Sequence, residues 1–468
     1  MAEWRNLEIG AKLFTNIQES CLSKNGAALE NAFANEGGGF TRFPGLDSFA
    51  TLTGAAPTYL DEWRGDLIAV SNSRVWRVKE TGAASDITGV PVSGSGRAIF
   101  AKTPNELLVA AGGPIVRLAG ATTEILSEDA PLATHVGYLE GYTLAIEMAT
   151  ENMLHSAADD ARSWDPIDVF AADAKPDRLT ALMVTPYREL LLAGPESLEQ
   201  FERLSTSSDT PFARRWAVGE GVSFPYTLTF ADNGIWLIND NREFVRASGQ
   251  VSRPVSDDVG NSLQGLDDFS DAWACPVLIR GQKFVLLQIP NATNAEYGTK
   301  GLTLLFDYRQ NRWATLFGWD ANEAVPTRWP GWSYFALWGR HFVGGNGCIY
   351  ELKNDEYQNA GLQQRVLIRT GHYDNFGEVR LDNLRARFKR GLATSNSDRP
   401  VVSLRVRRDN KAWSKWKRKD LGRAGESEQY LEFGGFGCAA EFQIELMMTD
   451  AAEFELVKMQ AQITPLGY

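Results

Sequence analysis

The sequence predicts an all-β fold: a β-propeller of six or seven blade-like units followed by a C-terminal antiparallel β-sandwich. A strand, a turn and a second strand recur at intervals of roughly 37 to 50 residues, near the ~40–45 of the best-known propeller repeat. Glycine (43 residues) and tryptophan (14 residues) are abundant, a pairing suited to many short strands joined by tight turns. Beyond residue 357 the texture changes to strands of about 6–10 residues with strict period-2 alternation.

Residues 1–56 read as a loop-rich arm or platform. "LENAFANEGGGFTRFPGLDSF" carries three consecutive glycines and a turn at Pro44–Gly45. The propeller is expected over 57–356. Its units read "LIAVSNSRVWRV" from Leu67, "LLVAAGGPIVRL" from Leu107, "LAIEMATENMLHSA" from Leu144, "LLLAGPESLEQFERL" from Leu190 and "IWLINDNREFVRAS" from Ile235. Two later versions begin at Phe284 and Phe335. Each hairpin has one apolar face that it cannot bury alone, and radial packing of the units would bury them all. No WD or kelch signature repeats. Helical periodicity is confined to short pieces near 12–33 and 256–272. The sandwich is expected over 357–468. There Leu384, Ala386 and Phe388 alternate with Arg385, Arg387 and Lys389, and Leu404 and Val406 alternate with Arg405 and Arg407. That pattern is a half-buried antiparallel sheet with a basic outer face.

Charge is unevenly placed. Between Arg380 and Arg423 fifteen Lys and Arg stand against four Asp, a local +11, which leaves −23 on the rest of a chain whose total is −12. The densest run is "RVRRDNKAWSKWKRKD" (405–420). The candidate contact surface comprises Arg385, Arg387, Lys389 and Arg390, with Arg405, Arg407 and Arg408, and then Lys415, Lys417 and Lys419. Three readings stay open. Cations could hold phosphates while Trp413 and Trp416 stack bases, or the block could dock an acidic protein neighbour. Alternatively, it could be a solvated face whose lysines keep an edge strand from aggregating. On one strand the two Trp, an odd distance apart, would face opposite sides, which weakens a stacking platform.

No catalytic or cofactor signature is present. G-x-S-x-G, HExxH and P-loop patterns are missing, and the four His (His135, His155, His341, His372) are not at metal-ligand spacing. The cysteines (Cys21, Cys275, Cys348, Cys438) form no CxxC pair, so reduced thiols are expected rather than a disulfide frame or zinc site. "AADDARSW" (157–164) resembles a degenerate form of the S-x-D-x-G-x-x-W blade turn of sialidase-type propellers, with Asp159 and Trp164 matching. That motif staples a hairpin and supplies no chemistry. The Trp-rich stretch 313–338 suits inter-blade packing more simply than sugar stacking. The N-terminus lacks an apolar signal core, and no run approaches the 18 or so apolar residues of a membrane helix.

Five segments, in order, resemble the packaged-DNA stabilisation proteins of short-tailed bacteriophages. They are "GGGFTRFPGL" (37–46), "RELLLAGPESLEQFE" (188–202), "VGEGVSFP" (218–225), "SGQVSRPVSD" (248–257) and "GLQQRVLIRTGHYDNFG" (361–377). The 290–340 region and the basic tail depart from the family pattern. The resemblance implies a non-enzymatic virion protein without cofactor, assembled in the host cytoplasm and placed in the tail. It implies a homo-oligomeric, six-fold nozzle or hub ring below the portal and adaptor. Such a ring extends the DNA channel, retains packaged double-stranded DNA without sequence-specific binding, and docks tail fibres or spikes and a needle or plug. The rival expectation is a carbohydrate-binding or carbohydrate-active propeller, suggested by the Trp-rich blades and the Asp turn.

Overall fold

A computed structural model of the chain describes residues 3–7, 28–35, 38–148, 150–172, 174–175, 178–204, 211–255, 263–373, 377–389, 399–423 and 430–466. Within them, seven four-stranded antiparallel blades follow one another: 58–86, 99–125, 133–171, 181–218, 229–254, 273–315 and 333–353, the last completed from elsewhere in the chain. The second strand of each of the first six blades coincides with the hydrophobic run that predicted it. Its residues are buried on both faces, as at Leu67, Ile68 and Ala69 or Leu190–Ala193. The cause is radial packing. A separate apolar cluster fills the space between blades one and two, two and three, three and four, four and five, five and six, and seven and one. Outer strands such as Asp160–Ala171 are largely exposed and carry no such run.

One turn type recurs. In blades one, three, five, six and seven a two-residue connection joins the first and second strands: Arg64–Gly65, Glu140–Gly141, Asp232–Asn233, Arg280–Gly281 and Trp338–Gly339. Both residues of each pair have positive φ, the type I′ geometry whose twist matches that of the flanking strands. Blades two and four use a longer turn opened by Thr-Pro. There the Thr103 and Thr185 amides donate to the carbonyls of Glu106 and Glu189.

The ring is closed by the N-terminal region. Strand Gly45–Thr51 pairs antiparallel with Cys348–Lys353 as the fourth strand of blade seven. Blade seven's first strand, Ser333–Leu337, in turn packs on that of blade one. The expected boundary at 56 therefore falls outside a blade strand that the chain has already contributed. Nor do the strands beyond 366 stand apart as a sandwich. Val366–Arg369, Phe442–Met448, Val401–Arg408 and Lys417–Asp420 extend the sheet of blade six through the short strand Ala28–Glu30, giving one nine-stranded sheet. Val379–Phe388, Glu455–Pro465 and Tyr430–Ala439 join Glu3–Leu7, Ala32–Ala34 and Phe40–Arg42 in a six-stranded sheet. The two sheets share one apolar core with blades six and seven, in which Phe33, Phe388, Leu404 and Phe442 are all buried. Of the two expected helical pieces, residues 28–34 are strands with a bend at Asn31, Leu263 and Gln264 are helical, and 12–27 and 256–262 lie outside the described residues.

Candidate functional site

The basic block divides between the two sheets. Leu384, Ala386, Phe388, Leu404 and Val406 all point into the shared core, as alternation required. The strands that carry them belong to different sheets, however, so Arg385 and Arg387 face away from Arg405 and Arg407. A single basic face does not form, because sequence alternation assigns a side of a strand but not the sheet to which it belongs. Arg390 lies outside the described residues.

Several of these cations are satisfied internally. Arg385 donates from Nε to Gln460 Oε1 (2.8 Å) and lies over the rings of Trp4 and Tyr430 at 4.0 and 4.4 Å. Lys389 pairs with Glu453 and Glu455 at 3.8 and 3.4 Å. Arg407 donates to the carbonyls of Lys411 (2.8 Å) and Asn410 (3.1 Å). Lys417 reaches the carbonyls of Gly434 and Gly435, tying the edge of one sheet to the edge of the other. Arg408, Lys415 and Lys419 are exposed. Strand Lys417–Asp420 is the terminal strand of the nine-stranded sheet, where lysines discourage further strand addition.

Trp413 and Trp416 are not on opposite faces of one strand. Residues 411–416 form no strand, and the backbone is pinned instead by Ser414, whose N–H donates to Val406 O and whose Oγ accepts from Val406 N–H. Freed from period two, both rings turn to one guanidinium, that of Arg405, at 4.8 and 4.3 Å. Arg405 also pairs with the fully buried Glu445, which accepts from Arg369 Nε at 2.9 Å. Arg369 meets Glu296 at 3.0 Å, and Arg365 binds Glu30 and the Tyr297 hydroxyl (2.7 Å). Three carboxylates and three guanidiniums from blade six, the N-terminal strand and the C-terminal strands thus alternate toward the Trp pair. Burial alone would lower the Arg369 guanidinium, but Glu445 and Glu296 hold it above its ordinary value. Burial raises the Glu296 carboxyl.

The second site lies on the propeller axis, where six blades and the segment 225–228 that leads into blade five line a cavity of about 510 Å³. Arg97 is 92 % buried there (8 % exposed) and sits against the rings of Tyr59 (4.7 Å), Trp273 (4.8 Å) and Tyr226 (5.8 Å). Its Nη2 donates to Trp332 O, and its backbone N–H donates to the Tyr226 hydroxyl at 3.1 Å. His135 stacks on Tyr226 (5.6 Å). Burial pushes the His135 imidazole down to about 4 and the Cys275 thiol up to about 12, so both are neutral at pH 7. Nothing in "GSGRAIF" distinguishes Arg97 from a surface arginine, and no local pattern signals a residue on the axis.

The depressed His135 value has a signed consequence. Above the unfolded value of about 6.5 the imidazole is neutral in both states and its burial is uncompromised. As pH falls from 6.5 toward 4 the unfolded chain takes up the proton first, and stability is lost at about 1.4 kcal/mol per unit, about 3 kcal/mol in all. His135→Phe should therefore flatten the melting temperature between pH 7 and 4 relative to the wild type, as read by scanning calorimetry. Equal slopes for the two proteins would refute the assignment.

The remaining sequence candidates are structural. Trp313 and Trp329 are buried in the core, and Trp164 packs between blades two and three with Nε1 donating to Ala161 O (2.8 Å). In that turn Asp160, not Asp159, accepts the amide hydrogen bond, from Arg162. Cys275, Cys348 and Cys438 are free thiols, and Cys21 lies outside the described residues. Among the described residues no group of His, Cys, Asp and Glu is placed to hold a metal ion, and no helix is long and apolar enough to cross a membrane.

Comparison with solved structures returns chains of low similarity. The extracellular domain of the putative one-component system BT4673 from B. thetaiotaomicron has 9 % identity and a TM-score of 0.44, over 67 % of this chain and 40 % of that one. YCF48 from Cyanidioschyzon merolae has 9 % identity and a TM-score of 0.40, over 66 % and 98 %. The Pan2 WD40 domain of Neurospora crassa gives 9 %, 0.40, 66 % and 96 %. No curated protein matches. The family model Phage_stabilise, described as "Bacteriophage P22 Gp10, beta-propeller", matches residues 20–357, from the N-terminal strands through blade seven, and leaves the basic block outside. The chain therefore belongs to the phage P22 Gp10 β-propeller family of packaged-DNA stabilisation proteins.

Proposed function

We propose that this protein is a non-catalytic tail component of the virion. In this reading it is a subunit of a six-fold nozzle ring below the portal and adaptor, which extends the DNA channel, helps retain packaged DNA and docks tail fibres or spikes and a needle. The family match carries the reading. The axis supports it: a cavity of about 510 Å³ crossed by Arg97, Tyr226 and Trp273 leaves no room for a duplex within one subunit. A conduit then requires the lumen of a ring. The net charge of −12 suits a wall past which DNA slides without sticking.

The exposed cations Arg408, Lys415 and Lys419 are the candidate residues of the basic block free to meet an acidic neighbour in that ring or tail, and Arg418 is exposed beside them. Reversing all three to Glu should leave the melting temperature within about 2 °C while lowering incorporation into particles by about tenfold or more, read by electron microscopy and native mass spectrometry. Unchanged incorporation combined with loss of a salt-sensitive DNA shift would transfer these residues to the DNA-binding reading. A protein absent from wild-type particles would sink the tail assignment itself.

A further inference from the structure

The axial cavity holds positive charge that the protein itself does not balance, and we propose that it binds a small organic carboxylate: an acid group on a flat, ring-bearing apolar body. Arg97 lines the cavity, yet among the described residues no carboxylate reaches it at ion-pair distance, and its Nη1 has no hydrogen-bond acceptor. The carboxylate whose field it feels, Asp271, is on the exposed surface. A second guanidinium, Arg328, stands close by, and among the described residues it has no acid partner. It donates to Gln288 Oε1 (2.8 Å) and Gly331 O (3.0 Å) and lies 4.0 Å over the ring of Trp332, whose carbonyl takes the Arg97 hydrogen bond. Burial lowers both guanidiniums, Arg328 to about 10, and Arg97 adds to the effect on Arg328. Two buried guanidiniums without an acid between them, with one donor unmet, favour an anion between the axis and blade seven.

The surroundings set the class of anion. Nη2 is already spent on Trp332 O and Nη1 is fully buried without an acceptor, which suits a carboxylate oxygen better than a phosphate dianion with several oxygens to satisfy. The rings of Tyr59 and Trp273 flank the guanidinium, and Phe100, Leu182 and Val184 give the cavity an apolar wall. A ring-bearing acid gains stacking and apolar burial there, which inorganic phosphate cannot. His135 and Cys275, also on the wall, are neutral at pH 7 and do not oppose an anion. Lys102, at the rim, is already paired with Asp61 at 2.8 Å and Glu62 at 3.2 Å. The inference rests on the cavity alone and stands whether or not the tail reading holds.

The test is calorimetric titration and thermal melting of the full chain with three probes: benzoate, its neutral isostere benzamide, and inorganic phosphate. The expected result is saturable one-to-one binding of benzoate with a dose-dependent rise in melting temperature, and at least tenfold weaker binding of the other two. Arg97→Gln should weaken benzoate at least tenfold. If that variant does not fold, Arg97→Lys, which keeps the charge but not the planar fork, should still weaken it several-fold. The proposal is overturned by wild-type protein that binds no benzoate. It is equally overturned by benzamide or phosphate binding as tightly as benzoate, or by benzoate binding unchanged in a folded Arg97 variant.

Discussion

Arg42→Ala should destabilise the protein by about 4 kcal/mol, and Arg42→Lys by nearly as much. Arg42 sits in "RFPG" (42–45), the N-terminal segment that resembles the family, and its side chain is 1 % exposed. The guanidinium spends its donors on two distant parts of the chain: Nε on Gln364 Oε1 (3.0 Å) and Nη2 on Gln364 O, and Nη1 on the carbonyls of Asp450 (2.7 Å) and Ala452 (2.6 Å). Burial lowers it only to about 10, so it remains charged at pH 7. Four buried acceptors lose their donor in the alanine variant, each at about 1 kcal/mol. A lysine cannot cover them, since one ammonium has three donors on a single atom where the guanidinium has a planar fork. Set against a total stability of roughly 5–15 kcal/mol, this should appear as poor soluble yield and early proteolysis at 37 °C. Urea unfolding gives the number. A loss below about 1 kcal/mol for the alanine variant would show that the carbonyls find other donors.

That segment illustrates which parts of the fold were legible in the sequence. The second strands of the blades were, because burial on both faces forces an unbroken apolar run such as "LLLA". The N-terminal strands were not. Ala28–Glu30, Ala32–Ala34 and Phe40–Arg42 are three residues each, too short to display a period. Gly45–Thr51 reads as a loop because its glycine and polar residues are tolerated by a partner some 300 positions away. At the sites the same limit applies. Alternation placed Leu404 and Arg405 on opposite sides of their strand correctly, but the sheet assignments that separate Arg385 from Arg405 are long-range facts. Trp413 and Trp416 were assigned to opposite faces on the premise of a strand, and a turn through Asp409 and Asn410, both at positive φ, ends the strand before them. Glu445 looks like an outward-facing acid in "FQIELMM", yet it is fully buried, flanked by Arg369 and Arg405.

Glu445→Gln should cost about 3–5 kcal/mol, because it leaves two guanidiniums facing each other with the anion between them removed. Arg369, Glu445 and Arg405 lie directly opposite one another on three neighbouring strands, a cation–anion–cation row across the sheet. Glutamine keeps the shape but offers one acceptor and no charge, so Arg369 falls back on Glu296 and Arg405 on its two Trp rings. The double variant Glu445→Gln with Arg405→Met should recover part of the loss, since the repulsion goes with the second cation. A coupling energy of about 1–3 kcal/mol in that cycle would measure it. The optical signature should be local. With Arg405 no longer anchored, Trp413 and Trp416 gain solvent and their emission shifts to the red before global unfolding. Additive variants with unshifted emission would mean that the row is packed but energetically indifferent. The row also reaches beyond its own three strands. Through Arg369 and Glu296 it ties blade six to the strands that lead to the exposed cations. If the proposed tail role holds, a Glu445→Gln protein that still folds at low temperature should lose incorporation into particles even though Arg408, Lys415 and Lys419 are intact.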